Sequence, residues 1–213
     1  MKSGLAMARR PAAAGAVLHY GRAIVVSVTT SDEGPVVIDR RSFELADPEL
    51  PSAPYHHEAL ELDLAEGEAL ILQVRKAVCE RARRSLETLR NDLAASSFDL
   101  TAVAFRESRP IPATLAEILG TQALYIADSE IYRDAMQFAA SELALRVFSY
   151  RKSEEFAFAA QSTNADARDL AERIRNWRKA LGAPWQKDHH AAAAAAMGAL
   201  ARLSAVIKPP TGE

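Results

Sequence analysis

Residues 16–45 decide the fold, and they read AVLHYGRAIVVSVTTSDEGPVVIDRRSFEL. Three short runs rich in apolar and β-branched residues are separated by Tyr20-Gly21 and by the turn sequence of residues 31–34. These runs predict three strands, at residues 16–19, 22–30 and 35–45. Because consecutive strands with tight links usually pair with each other, we expect an antiparallel meander.

Helices and strands alternate after the meander. Prolines in residues 47–54 break the pattern, and a helix is then predicted from about residue 66 to about residue 93. Its apolar stripe has helical spacing and consists of Leu70, Val74, Val78, Ala82, Leu86, Leu89 and Leu93. Apolar runs at residues 101–105 and 146–150 predict buried strands. The predicted order, β-β-β-α-β-α-β-α-α, indicates an α/β protein with a mixed sheet and helices on both faces.

The helical segments between and after these strands are less uniform. Thr114 caps one predicted helix, another follows Asp128, and residues 124–127 either join or interrupt them. Thr163 and Asp166 have the spacing of a capping box for a helix that stops at Gly182. A last helix is predicted from Asp188 to near residue 203, and the small side chains of alanines 191–196 suit close packing on a sheet.

Composition indicates a globular protein and limits its location. We predict a flexible tail at residues 1–14, one domain at 15–205 and a C-terminal tail at 206–213. The single cysteine, Cys79, excludes an intrachain disulfide and a thiolate zinc cluster. No run approaches the ~20 apolar residues of a membrane span, so we expect a cytoplasmic protein without a membrane partner.

Charge and motifs exclude several classes of function. The formal net charge of −2 does not favour a nucleic-acid partner, although local basic faces and an oligomer remain open. The chain contains no phosphate-binding glycine loop, no Gly-x-Ser-x-Gly elbow and no His-Glu-x-x-His zinc motif. No enzyme class is assigned by a motif.

The order of elements resembles the ribonuclease H-like superfamily, in particular RuvC-type Holliday-junction resolvases. That family ends its first strand with an acid before a glycine turn, where this chain has His19-Tyr20-Gly21. It ends its fourth strand with Glu, where this chain has Arg106 followed by Glu107. It begins its last helix with two acids, of which Asp188 matches the first and Ala191 replaces the second.

The resemblance implies a bacterial-type nuclease fold in which most catalytic acids are missing. Two-metal phosphoryl transfer uses Mg²⁺ or Mn²⁺, which prefer carboxylate oxygens. If the chain is an active nuclease, the resemblance implies catalysis by His19, Glu107 and Asp188. A divalent metal would then be held by His19 and Asp188, with His189 as a further ligand. This set depends on His19 and Asp188 lying close together.

Each candidate also has a simpler interpretation. Asp188 suits an N-cap better than a metal ligand, and the adjacent His189 and His190 suit a solvated pair. His56 and His57 are predicted to lie at the surface, with a site shared with His19 as the alternative. Trp185 and Lys187 are predicted surface contacts.

Three hypotheses of function follow. The first is a catalytically degenerate ribonuclease H-like module that binds or scaffolds, since the fold pattern is present and the acids are not. The second is a divergent metal-dependent nuclease acting on structured nucleic acid. The third is a small-molecule or protein-binding α/β domain, which the near-neutral charge favours.

Overall fold

The protein is described by a computed structural model that covers residues 9–207. Within that range the strands are β1 (Arg10–His19), β2 (Arg22–Ser31), β3 (Gly34–Glu44), β4 (Phe98–Arg106) and β5 (Arg146–Tyr150). The helices are α1 (Leu64–Ala95), α2 (Leu115–Leu119), α3 (Ala123–Glu142), α4 (Glu155–Thr163), α5 (Ala167–Asn176), α6 (Arg178–Leu181) and α7 (Lys187–Ile207). A 3-10 helix spans Glu58–Leu60.

The strands form one mixed sheet in the order β3-β2-β1-β4-β5. β1 pairs with β2, and β2 with β3, in antiparallel fashion. β1 pairs with β4, and β4 with β5, in parallel. The predicted meander followed by parallel strands is confirmed, and the carboxyl ends of β1, β4 and β5 consequently meet at one edge of the sheet.

The opening strand begins earlier than the predicted domain boundary at residue 15. β1 starts at Arg10, and Ala12, Ala13 and Ala14 are buried in the core. Assignment of residues 10–14 to a flexible tail is therefore wrong, whereas residues 1–8 and 208–213 lie outside the described residues. The small, weakly hydrophobic side chains of residues 12–14 did not indicate a strand, although β1 pairs with β2 on one side and with β4 on the other.

The alanine-rich helix α7 lies directly on β1. Residues 192–196 of α7 are completely buried. At Gly15 an added Cβ would lie 1.9 Å from the carbonyl oxygen of Ala192, so only glycine fits in the facing strand. The predicted close approach of this helix to the sheet is confirmed.

The opposite face of the sheet is covered by α1 and α3. The apolar stripe of α1 is buried as predicted, except that Leu70 is only half-buried and Ile71 takes its place in the core. The undecided residues 124–127 belong to α3, because the helical break falls before Ala123.

Two C-terminal details differ from the prediction. α4 was not predicted, because its nine residues are too few to form a clear helical pattern. Its Phe158 packs closely on Gly198 of α7: a Cβ added to Gly198 would lie 2.3 Å from the Phe158 ring. Asp166 alone caps α5, through the amides of Arg168 and Asp169, so a capping box begun by Thr163 is wrong. None of the helices within residues 9–207 has the length and hydrophobicity needed to cross a bilayer.

Candidate functional site at the edge of the sheet

His19 and Asp188 are in direct contact, although 169 positions separate them in the chain. His19 is the last residue of β1, and its Nε2 lies 2.9 Å from Oδ2 of Asp188 in the first turn of α7. Both side chains are accessible, with exposed fractions of 40% and 37%. The predicted proximity of these two residues is confirmed, while a catalytic or metal-binding role for them stays a prediction.

Asp188 does not cap α7. The helix already begins at Lys187, and the carboxylate of Asp188 turns to His19 instead of to the first-turn amides. The N-cap interpretation is therefore wrong. The carboxylate still lies near the positive end of the helix dipole, which stabilises negative charge there.

An open pocket of about 350 Å³ adjoins this pair. It lies at the carboxyl ends of the parallel strands, the usual location of ligand sites in α/β sheets. Its polar lining consists of His19, Arg106, Arg133, Tyr150, Lys152, Ser153, Glu155, Lys187 and Asp188.

The pocket is rich in cations. Along β4, Ala102 and Ala104 pack beneath α7, and strand alternation places Arg106 on the same face. Lys152 follows β5, and Lys187 opens α7. Arg106, Lys152 and Lys187 have no ion-pair or hydrogen-bond partner within residues 9–207, so they are available to an anion from solution.

The fourth cation, Arg133, is buried in α3 and shares the carboxylate of Glu130 with Arg109. Its Nη1 donates to the carboxylate of buried Glu130 and, at 3.0 Å, to Oγ of Ser129. Its Nε is buried without a partner among the described residues. The i, i+3 spacing of Glu130 and Arg133 was the signal in the sequence that could have revealed this pair.

Tyr150 supplies a neutral hydroxyl at the same pocket. Burial raises the pKa of Tyr150, the nearby Glu155 adds to the rise, and Arg106 opposes it. The hydroxyl therefore stays protonated at neutral pH and can donate a hydrogen bond to an anion.

Glu107 lies apart from His19 and Asp188. It is exposed, its Oε1 is 4.0 Å from Nε of Arg151, and it lines a separate depression together with Ser149 and Arg202. Glu107 follows the last residue of β4, and its backbone amide donates to the carbonyl oxygen of Tyr150 at 2.9 Å, which holds it beside the end of β5.

The donor set does not fit a pair of magnesium or manganese ions. Of the two carboxylates that line the pocket, Asp188 is paired with His19, and Glu155 shares the pocket with Arg106, Lys152 and Lys187. No group of three histidine, cysteine or acidic side chains within residues 9–207 is arranged to hold a metal ion. Excess positive charge would further oppose binding of a divalent cation.

The remaining C-terminal candidates are mostly buried. Trp185 is 3% exposed, donates its indole N–H to the carbonyl of Ile174 at 2.7 Å and packs edge-on against Trp177, so a surface contact at Trp185 is wrong. His189 is also buried and accepts from the Gln186 amide through Nδ1, which excludes a solvated pair. Lys187, by contrast, is exposed as predicted.

The sheet order and the helices on its two faces define a ribonuclease H-like α/β fold. Among solved structures, the chain is similar to the Thermus thermophilus RuvC structure, at 15% identity and a TM-score of 0.54, covering 92% of this chain and 96% of that one. It is also similar to T. thermophilus RuvC in complex with Holliday junction substrate, at 15% identity and a TM-score of 0.50, covering 89% and 92%. No protein-family model and no curated protein matches the sequence.

Proposed function

We propose that the protein is a non-catalytic ribonuclease H-like module that holds phosphate groups of nucleic acid directly with basic side chains. One observation carries the proposal: Arg106, Lys152 and Lys187 converge on the pocket at the carboxyl ends of the parallel strands, with no ion-pair or hydrogen-bond partner among residues 9–207. In the resolvase family that the chain resembles, the corresponding edge carries acids.

The chemistry of the pocket favours a phosphate ligand. Arginine binds phosphate oxygens in bidentate fashion, and lysine adds a mobile point charge. The N-terminus of α7, which opens at Lys187, contributes amide N–H groups and a positive dipole end. These donors would neutralise a phosphate without an intervening metal ion.

The overall charge of −2 is compatible with a local site of this kind. Screening limits the influence of distant surface charges to about 8–10 Å at physiological salt, so the nearest cations dominate the potential in the pocket. The solved complex of T. thermophilus RuvC with Holliday junction substrate supports a nucleic-acid ligand for this fold. Cytoplasmic location and self-association stay predictions.

Fluorescence anisotropy with labelled single-stranded, duplex and branched DNA tests the proposal. We expect binding in EDTA, no strengthening when Mg²⁺ is added, because Mg²⁺ competes with the basic side chains for the phosphates, and no cleavage. Lys187→Gln should weaken binding and lower the salt dependence by about one phosphate contact. Lys179→Gln is the matched control, since Lys179 is an exposed lysine of α6 outside the pocket.

The same experiment separates the other hypotheses. Cleavage that requires Mg²⁺ or Mn²⁺ and disappears in Asp188→Ala would establish a divergent nuclease and overturn our proposal. Absence of binding to all three substrates would favour the small-molecule or protein-binding domain.

A further inference from the structure

Four aromatic rings lie together beside the basic pocket, and we call them the aromatic platform: Tyr20, His56, His57 and Tyr125. The ring of His56 is central. Its centroid lies 3.8 Å from that of His57, 5.1 Å from that of Tyr125 and 6.3 Å from that of Tyr20. Tyr20 directly follows His19 of the pocket, and Asp128, which binds His56, lies on α3 five positions before the pocket residue Arg133, so the platform adjoins the pocket without sharing a lining residue.

A buried carboxylate holds the centre of the platform. Asp128 is completely buried, and its Oδ2 lies 2.6 Å from Nδ1 of His56. Asp128 also accepts hydrogen bonds from the backbone amides of Tyr55, at 2.9 Å, and of His56, at 3.3 Å. With two amides already donated to it, Asp128 acts as an acceptor, so Nδ1 of His56 carries the proton and the imidazole is fixed in one orientation.

The tyrosines are also ordered but remain open to solvent. The hydroxyl of Tyr20 donates to the carbonyl oxygen of Tyr125 at 3.1 Å, which links the β1–β2 turn to α3. Tyr20 is 46% exposed and Tyr125 is 51% exposed. Rings that served only the core would be covered, whereas these present preorganised aromatic surface, which lowers the entropic cost of binding.

The composition of the platform favours a flat, polar, aromatic ligand over an aliphatic one. Tyrosine and histidine rings stack on nucleobases, and their polar atoms tolerate the hydrogen-bonding edges of a base. The neighbouring pocket presents cations to a phosphate. A base linked to a phosphate satisfies both surfaces, whereas an aromatic peptide without acidic residues would leave Arg106, Lys152 and Lys187 without a matching charge.

We propose that the aromatic platform stacks an unpaired base of a nucleic-acid strand whose adjacent phosphate lies in the basic pocket. This inference rests on the proposed function and specifies its substrate class as single-stranded or locally unpaired nucleic acid. A base within a duplex is already stacked on both sides and does not present its face to the rings.

The test measures binding of three labelled DNAs: a single strand, the same strand with an abasic site at every second position, and a duplex. Removing an aromatic stacking partner weakens binding by about fivefold to about a hundredfold. We expect losses in that range for Tyr125→Leu and for Tyr20→Leu on the intact strand only. Phe138→Leu is the matched control, because Phe138 is a 48% exposed aromatic residue of α3 outside the platform.

The outcomes separate this inference from the proposed function. If Tyr125→Leu and Tyr20→Leu remain folded and bind like wild type while Lys187→Gln binds weakly, the platform is overturned and the phosphate site stands. If wild type binds none of the DNAs, both proposals are overturned. Strand binding that an acidic tryptophan-containing peptide abolishes, with no penalty for the abasic sites, would assign the platform to a protein partner and also overturn the inference.

Discussion

Gly15→Ala should destabilise the protein strongly, although alanine is normally a better strand residue than glycine. The new Cβ would lie 1.9 Å from the Ala192 carbonyl oxygen and 2.6 Å from the Ala196 amide nitrogen. Normal contacts of a Cβ are no shorter than 3.0 Å, so strand β1 or helix α7 must move by more than 1 Å. Both obstacles are backbone atoms, which no side-chain rotation can remove.

Two opposing contributions set the size of the effect. Replacing a strand glycine by alanine gains about 0.5–1 kcal/mol through reduced backbone entropy. Overpacking a tight core costs typically about 1–3 kcal/mol and occasionally more. The clash here is at the upper end, because the completely buried residues 192–196 of α7 would all be displaced. We therefore expect a net loss of about 2–3 kcal/mol in the free energy of unfolding.

Urea unfolding followed by circular dichroism measures this loss in free energy. In a thermal scan, Tm should fall by about 5–10 °C for a domain of this size. Gly120→Ala is the control, since Gly120 is exposed and its Cβ would lie 3.3 Å from the Ala116 carbonyl oxygen and 3.9 Å from that of Glu117. It should stay within about 1 kcal/mol of wild type. A Gly15→Ala protein as stable as Gly120→Ala would refute the close packing of α7 on β1.

Three further predictions concern buried polar groups. Glu130→Ala should cost about 3–5 kcal/mol of unfolding free energy, because it leaves the buried Arg133 guanidinium uncompensated; Glu130→Ala combined with Arg133→Met should recover much of that loss in the same urea titration. Burial lowers the pKa of His189 and His190, so the unfolded chain binds more protons and stability should fall as the pH drops below about 6.5. The double variant His189→Gln, His190→Gln should show a smaller loss of unfolding free energy between pH 7 and pH 5.5. A loss as large as that of wild type would contradict this assignment. Trp185→Phe removes a buried indole donor to a carbonyl of α5 and should cost about 1–3 kcal/mol in thermal unfolding, with no loss contradicting the assigned hydrogen bond.

The order of strands and helices was predictable because it depends on local pattern. Alternating β-branched runs, a stripe of 3.6-residue period in α1 and the alanine run of α7 each depend on residues that are near neighbours in the chain. The start of β1 was missed because Ala12–Ala14 are buried by their surroundings and not by their own hydrophobicity: β2 and β4 flank them, Ala13 packs in the cluster with α7, and Ala14 packs in the cluster with α1 and α3. The contact of His19 with Asp188 was predictable only through the resemblance to a known fold.

The sequence by itself determined a mixed α/β sheet and the face that each long helix buries. Only the tertiary structure decided which charges share a pocket, that His56 binds the carboxylate of Asp128 from 72 positions away, and that Trp185 faces the core. The physical reason is the distance along the chain over which each interaction acts. Periodicity and turn preference act over a few residues, whereas the direction of a side chain at a sheet edge depends on strand register and on the helices that cover the sheet, which distant segments supply.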